Sequence, residues 1–300
     1  MPVFERSQTR YRPLAFTDSP GSGSLEHFHH FMWSYFLPAF SLILDDPERK
    51  TQAVRYQLES CGPLMDRITR EILTTCHIVH ELIPANDPAF RGAEALAVPR
   101  WDWDFERSHP DGTESARDLP AGLAKASVTV RNLLLRIAHD RAPDINPYEG
   151  KTLLIRRSAE PDYFRPGGGA EPPFYYGAGR RTLRGLDETR AALNAAGHNA
   201  VIFDCGAHDI FSQILAFSSC RGIVAIRGAE LVHLFWMRPG SQAVIVLIPE
   251  MDRLLPIHAR LCRANGVQAI SLPIMDQGPA PEITPEVLLP LLTRKVHACA

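Results

Sequence analysis

The sequence predicts an α/β protein whose two halves each contain a mostly parallel β-sheet. Short apolar runs alternate with amphipathic segments along most of the chain, as expected for successive βαβ units. The length of 300 residues exceeds the roughly 250 at which single cores usually stop growing, so two domains are expected. A hydrophobic fraction of 45% and a charged fraction of 22% are typical of a folded globular chain.

The domain boundary is predicted in the loop-rich segment "RAPDINPYEG", residues 141–150. This gives an N-terminal α/β domain over residues 1–145 and a second α/β domain over residues 146–280. Residues 281–300 are expected to add a C-terminal helix, formed by the segment "TPEVLLPLLTRKV".

The N-terminal half is predicted to begin with a long aromatic helix that ends near Leu44 and bends near Pro38. An apolar run, an amphipathic segment and two further apolar runs follow, and they predict a strand, a helix and two strands. These segments are "AVRYQL", "GPLMDRITREIL", "CHIVHEL" and "EALAVPRW". A second helix is predicted over residues 121–140.

The second half alternates more clearly and predicts a doubly wound domain of the nucleotide-binding type. Its five predicted strands are "KTLLIRR", "NAVIFDC", "GIVAI", "QAVIVLIP" and "VQAISLPI". Helices are predicted between them over residues 186–196, 208–219, 229–237 and 253–264. Gly197 is expected to end the first of these helices, since glycine readily adopts the left-handed conformation found there.

The net charge, the apolar runs and the cysteine content indicate which binding partners and which cellular location are expected. A net charge of −2 gives no general attraction to nucleic acid or to an anionic membrane. The longest apolar run contains three histidines and a proline and is too polar to cross a bilayer, and no secretory signal is visible. Six scattered cysteines without a CxxC pair predict reduced thiols and a cytoplasmic protein. The oligomeric state stays open.

The stretch "IVAIRGAELVHLFWMRPG", residues 223–240, is a candidate ligand site. A helix that begins after the strand would point backbone N–H groups at an anion, and Gly228 and Ala229 would let a phosphate approach closely. Arg227 adds a guanidinium that favours phosphate. Glu230 and His233 lie three residues apart on one helical face, where they could hold a ribose or sugar hydroxyl.

Further arginines are expected at the same edge. Four of the 32 basic residues are lysines, which leaves 28 arginines. Arg156 and Arg157 end one predicted strand, and the segment "GRRTLRG" supplies Arg180, Arg181 and Arg184. Carboxyl ends of parallel strands share one edge, so these arginines are expected to converge with Arg227 on a diphosphate. Adjacent strand residues face opposite ways, so only one of Arg156 and Arg157 can readily face a given ligand.

These motifs resemble glycosyltransferase family 61, which includes plant xylosyltransferases, the EGF-domain O-GlcNAc transferase and capsular polysaccharide biosynthesis proteins. The similarity covers about residues 150–250, through the arginine pair, Arg181, Gln213, "RGAELVH" and "RPGSQAVIVL". "HFMWSYFLP", from His30 to Pro38, is similar to a family helix of the type H-F-x-x-D-x-L-P.

The resemblance implies a GT-B architecture, in which two Rossmann-like domains face a cleft. It implies an inverting transfer from a nucleotide sugar, usually a UDP-sugar, to a hydroxyl acceptor, with neither a cofactor nor an essential metal. It places Arg156, Arg157, Arg181, Gln213 and the corner at 227–233 at the donor. Three features depart from the family: Arg227 replaces a histidine, Ser34 and Tyr35 stand where an acid is expected, and the asparagine that often precedes the helix at 186 falls near Gly185.

The general base is therefore sought among other residues. Glu26 and His30 lie four residues apart, so on a helix the carboxylate could raise the basicity of the imidazole. Asp102 and Asp104, in "WDWD", are a second choice. Histidines packed in an aromatic helix remain the plain alternative.

Three other functions stay open. A zinc site would use His27, His29 and His30, or Cys76, His77 and His80, although neither group has clear zinc spacing. A non-catalytic nucleotide-sugar-binding subunit of a polysaccharide assembly system would explain the missing histidine and the missing acid. A Rossmann-type dinucleotide enzyme is disfavoured, because no GxGxxG follows a strand.

Overall fold

The computed structural model describes residues 9–16, 25, 27–99, 101, 124–125, 128–158, 181–249, 256–274 and 280–293. The chain divides into two compact units, Met1–Leu133 and Leu134–Ala300. The described residues form nine strands, in two parallel sheets, and eight α-helices, which confirms the mixed α/β class. The predicted domain bounds at 145 and 280 stay a prediction.

The first unit contains a four-stranded parallel sheet in the order β3-β2-β1-β4. Its strands are β1 (Arg10–Phe16), β2 (Val54–Glu59), β3 (His80–Ile83) and β4 (Leu96–Val98). Strand β1 was not predicted, because a proline within "RYRPLAF" argues against a central strand. Pairing with β4 begins only at Leu14, so Pro13 lies where β1 is still an edge strand on that side.

A helical segment with one wide turn follows β1. Helix α1 (Phe28–His30) leads into a π-helical stretch, Phe31–Phe36, and then into α2 (Leu37–Asp45). All six residues of the π-helical stretch are buried. The predicted aromatic helix is therefore confirmed as far as Asp45. It starts later than expected, at Phe28, with His27 in the capping position.

The remaining helices of this region also follow the sequence pattern. Helix α3 (Pro63–Thr75) confirms "GPLMDRITREIL", and α4 (Val130–Asp140) lies within the predicted 121–140. The strand predicted over "CHIVHEL" is shorter than expected. Cys76 and His77 instead form the turn that ends α3, where His77 adopts a left-handed φ of 55°.

The second unit contains a five-stranded parallel sheet in the order β6-β5-β7-β8-β9. Its strands are β5 (Thr152–Arg156), β6 (Ala200–Asp204), β7 (Gly222–Ile226), β8 (Gln242–Leu247) and β9 (Gln268–Pro273), which confirms all five predicted strands. The chain moves outward from β5 to β6 and then returns to the other side of β5. The strand order thus reverses between β5 and β7, and doubly wound sheets bind ligands at such a point, outside the carboxyl ends of the strands.

Helices cover this sheet, and its central strands are fully buried. They are α5 (Leu186–Ala195), α6 (Ile210–Ser219), α7 (Pro256–Ala264) and α8 (Pro285–Leu292), each close to its predicted position. Every residue of β7 and β8 is buried, as expected for a parallel sheet with both faces covered. Within the described part of the chain, no helix has both the length and the apolar character needed to cross a lipid bilayer.

One predicted helix has a different hydrogen-bonding pattern from the others. The α-helix predicted over residues 229–237 is a 3₁₀ helix, Ala229–Phe235. Leu231 to Phe235 are all buried, and 3₁₀ helices are tighter than α-helices and are seldom long. The tight turn that follows β7 is thus too short and too narrow to act as the helix N-terminus expected at Gly228.

Candidate functional site

Two adjacent arginines at the end of β5 diverge. Arg156 Nη2 donates to Asp187 Oδ2 at 2.8 Å, and 45% of the Arg156 side chain is exposed. Arg157 lies on the other side, with only 9% of its side chain exposed, and its Nε donates to Glu230 Oε1 at 2.7 Å. Arg157 therefore reaches from the end of β5 to the turn after β7, across the point where the strand order reverses.

The ion pair between Arg157 and Glu230 joins one nitrogen of the guanidinium group to one oxygen of the carboxylate. Arg157 Nη1 and Glu230 Oε2 are buried and have no hydrogen-bond partner among the described residues. A buried polar atom without a partner costs about 1–3 kcal/mol. The corner thus holds one donor and one acceptor that a ligand can satisfy.

Gly228 lets this pair approach the backbone closely. A Cβ at Gly228 would lie 2.7 Å from Glu230 Oε2 and 3.5 Å from Arg157 Cζ. The backbone of Gly228 is extended, with a φ of −172°, so glycine is needed here for room rather than for its conformation. Ala229, the next residue, opens the 3₁₀ turn and also has a small side chain.

Two further arginines brace the neighbouring backbone. Arg181 is buried, and its Nη1 donates to the carbonyl oxygen of Arg227 at 2.8 Å. The Arg227 N–H donates to the Val246 carbonyl at 2.9 Å, which fixes the corner to β8. Arg184 Nε donates a hydrogen bond to the Ala280 carbonyl. Arg180 lies outside the described residues. Arg157 and Arg181 thus both contact the segment after β7, whereas Arg156 and Arg184 are engaged elsewhere. The convergence of these arginines on a diphosphate stays a prediction.

Gln213 supports the loop after β6. Its Nε2 donates to the carbonyl oxygens of Cys205 and His208, at 2.8 and 2.9 Å. In the same loop the Asp204 carboxylate accepts from Ser158 Oγ and, at 2.9 Å, from the Gly206 N–H. Sequence reasoning missed Ser158 and Asp204, although the position of Asp204 at the end of a predicted strand was a signal for it.

His233 and Glu230 have different surroundings. The His233 ring is fully buried and stacks on Phe217, with 4.5 Å between ring centroids. Burial lowers its pKa from 6.5 to about 3. The carboxylate of Glu230 instead meets Arg157. The binding of a hydroxyl by His233 stays a prediction, and its present surroundings are those of a packed core ring.

The candidate base lies in the first unit. The His30 ring is 5.4 Å from His29 and 5.9 Å from His27, measured between centroids. Glu26, Asp102 and Asp104 lie outside the described residues, so the pairing of Glu26 with His30 stays a prediction. Over the described residues, no group of three or more His, Cys, Asp or Glu side chains is arranged to hold a metal ion.

The π-helical stretch explains the departure from the family helix. "HFMWSYFLP" has nine residues where the family pattern has eight, and a π-turn accommodates one residue more than an α-turn. Ser34 and Tyr35 are buried there. The Tyr35 hydroxyl donates to the Leu14 carbonyl at 3.1 Å and accepts from the Glu59 N–H at 2.6 Å, so it joins β1 to β2. Burial raises the pKa of Tyr35 well above its usual value, so it donates as a neutral phenol.

A doubly wound α/β domain with arginines at its strand-reversal point is a common arrangement for binding phosphorylated ligands. The sequence model of the family described as Glycosyltransferase 61 matches residues 28–245, which is well over half of the chain. The chain therefore belongs to glycosyltransferase family 61 and is a glycosyltransferase enzyme. A comparison with curated proteins gave no match.

The buried state of His233 generates a pH prediction. The unfolded imidazole takes up a proton below about pH 6.5, whereas the folded one does so only near pH 3, so acidification through this window favours unfolding. His233→Phe keeps an aromatic ring on Phe217 and removes this proton uptake. We expect its free energy of unfolding, from urea titrations at pH 6 and pH 4, to depend on pH less steeply by about 1.4 kcal/mol per unit. Equal slopes in both proteins would contradict the assignment.

Proposed function

We propose that the protein is an inverting glycosyltransferase that moves a sugar from a UDP-sugar to a hydroxyl acceptor without an essential metal ion. The observation that carries this proposal is Arg157, which lies beside Gly228 at the strand reversal and has one buried guanidinium nitrogen without a partner among the described residues. The family match supports a nucleotide-sugar donor. A GT-B arrangement of two Rossmann-like domains and a cytoplasmic location belong to the same proposal.

The corner after β7 is proposed to bind the donor diphosphate. Negative charge grows on the diphosphate as its bond to the sugar breaks, and preorganised donors stabilise that charge. Arg157 supplies such a donor next to the small residues Gly228 and Ala229. Arg181 and Arg227 hold the backbone of the corner and add positive charge, and Gln213 keeps the adjacent loop in place. Arg156 contributes less, since Asp187 already neutralises it.

His30 is proposed as the general base. It would remove the proton of the acceptor hydroxyl as that oxygen attacks the anomeric carbon. The bond between this carbon and the diphosphate oxygen breaks in the same step, and the diphosphate leaves with the electron pair. The new bond forms on the opposite face of the sugar, so the configuration inverts. Glu26 would raise the basicity of His30, as the sequence suggests.

The divergence of the two strand-end arginines provides a matched test of the donor site. Arg157→Ala removes the guanidinium beside Gly228, whereas Arg156→Ala removes its exposed neighbour. A charge-assisted hydrogen bond contributes enough that Arg157→Ala should weaken UDP binding about 10- to 100-fold in calorimetric titrations. Arg156→Ala should change it less than about threefold. Wild-type UDP affinity in Arg157→Ala would disprove the proposed site.

The proposed base has its own test. Positioned general bases contribute about 10²- to 10⁴-fold to rate, so His30→Ala should lower kcat by that factor while UDP affinity is retained. His29→Ala, which changes the adjacent ring, is the control and should keep most of the activity. The readout is transfer, or slow hydrolysis, of a UDP-sugar. Full activity in His30→Ala would remove this residue from the mechanism.

A further inference from the structure

The Arg157–Glu230 pair is joined by a single hydrogen bond. Arginine and carboxylate groups frequently pair through two parallel N–H···O bonds. Here only Nε and Oε1 meet, at 2.7 Å, and both groups are largely buried, with 9% and 16% of their side chains exposed. Another guanidinium nitrogen, Nη1, and the second carboxylate oxygen, Oε2, have no partner in the described part of the chain. The pair is therefore an incomplete hydrogen-bonding unit.

Both unused atoms lie close to the backbone of Gly228. A Cβ on this residue would lie 2.7 Å from Glu230 Oε2 and 3.6 Å from Arg157 Nη1, so the two atoms come close to the same backbone position. A ligand group bound at this position would therefore meet the donor and the acceptor together. This arrangement suits a group that accepts one hydrogen bond and donates another.

The charge of the pair restricts which ligands fit. A bare anion must compete with Glu230 for Arg157, and it would then lie beside a carboxylate of the same sign. A ligand with a phosphate oxygen for Nη1 and a neighbouring hydroxyl for Oε2 satisfies both groups without separating them. The hydroxyl is a neutral donor, so it gives the carboxylate a partner without adding negative charge beside it.

We infer that the Arg157–Glu230 pair selects ligands in which a phosphate oxygen lies next to a hydroxyl group, and so disfavours bare anions such as pyrophosphate. This inference rests on the proposed function, because it assigns the ligand of the same corner. In a UDP-sugar the hydroxyl belongs either to the transferred sugar or to the ribose. Glu230 is thus a specificity residue, and its partner is Arg157 rather than His233.

Calorimetric titrations of wild type and Glu230→Gln at fixed ionic strength test this inference. The probes are pyrophosphate, UDP, 2′-deoxy-UDP, and whichever of UDP-glucose, UDP-xylose and UDP-N-acetylglucosamine stabilises the wild type most. Loss of the carboxylate charge frees Arg157, so pyrophosphate should bind about tenfold tighter. The preference for UDP-sugar over UDP should fall about tenfold if the hydroxyl is on the sugar. The preference for UDP over 2′-deoxy-UDP should fall if it is on the ribose.

Two control variants separate the charge of Glu230 from other effects. Asp187→Asn makes the same charge change in the exposed Arg156–Asp187 pair and should change the affinity for pyrophosphate by less than about threefold. Glu230→Asp keeps the charge, so it should bind pyrophosphate as weakly as the wild type even if the fold is slightly destabilised. Unchanged pyrophosphate affinity in Glu230→Gln, or no change in either preference, would overturn the inference.

The outcomes also distinguish this inference from the proposed function. If the wild type binds none of the UDP ligands, the proposed function fails and this inference fails with it. If UDP ligands bind and depend on Arg157, but Glu230→Gln keeps all wild-type preferences, only the selection by Glu230 is wrong.

Discussion

The contact between Arg157 and Glu230 is the interaction on which the account of this protein depends. It joins the end of β5 to the turn after β7, at the strand reversal of the second unit. A nearly buried ion pair is costly unless its remaining hydrogen-bonding groups are satisfied. Among the residues that the structure describes, two of them have no partner, and both lie beside a glycine, which favours this corner as a binding site.

The surrounding residues keep this corner in place. Arg181 donates to the carbonyl of Arg227, and the Arg227 N–H donates to β8, so the backbone just before Gly228 has little freedom. Gln213 fixes the loop after β6 through two carbonyls. Such bracing preorganises a binding site, because the protein need not reorganise when charge develops on the ligand. Arg181, which was expected to contact the ligand directly, thus also supports the corner through the backbone.

Much of the second unit could be predicted from the sequence. Its strands are short apolar runs, because β7 and β8 are buried on both faces and tolerate few polar residues. Strand β1 could not be recognised, since Pro13 is acceptable only because pairing with β4 starts one residue later. The segment after β7 was wrongly predicted as an α-helix, because its apolar residues are buried in a 3₁₀ turn. Both errors come from tertiary contacts that a local pattern does not contain.

The sequence indicated which strand ends form the site, but it did not indicate which side chains contact each other there. Alternation along β5 indicated that Arg156 and Arg157 face opposite ways, and they do. The partner of Glu230 was not foreseen, since spacing along one turn suggested His233, whereas the partner comes from a neighbouring strand. The apolar neighbours of His233 in "LVHLFW" were the available sign that its ring would be buried.

The most direct test of the central claim is a crystal structure of the protein with UDP bound. The account predicts a diphosphate oxygen about 2.9 Å from Arg157 Nη1, next to the backbone of Gly228. A diphosphate bound away from the β5–β7 edge, with Nη1 still unpaired, would contradict it.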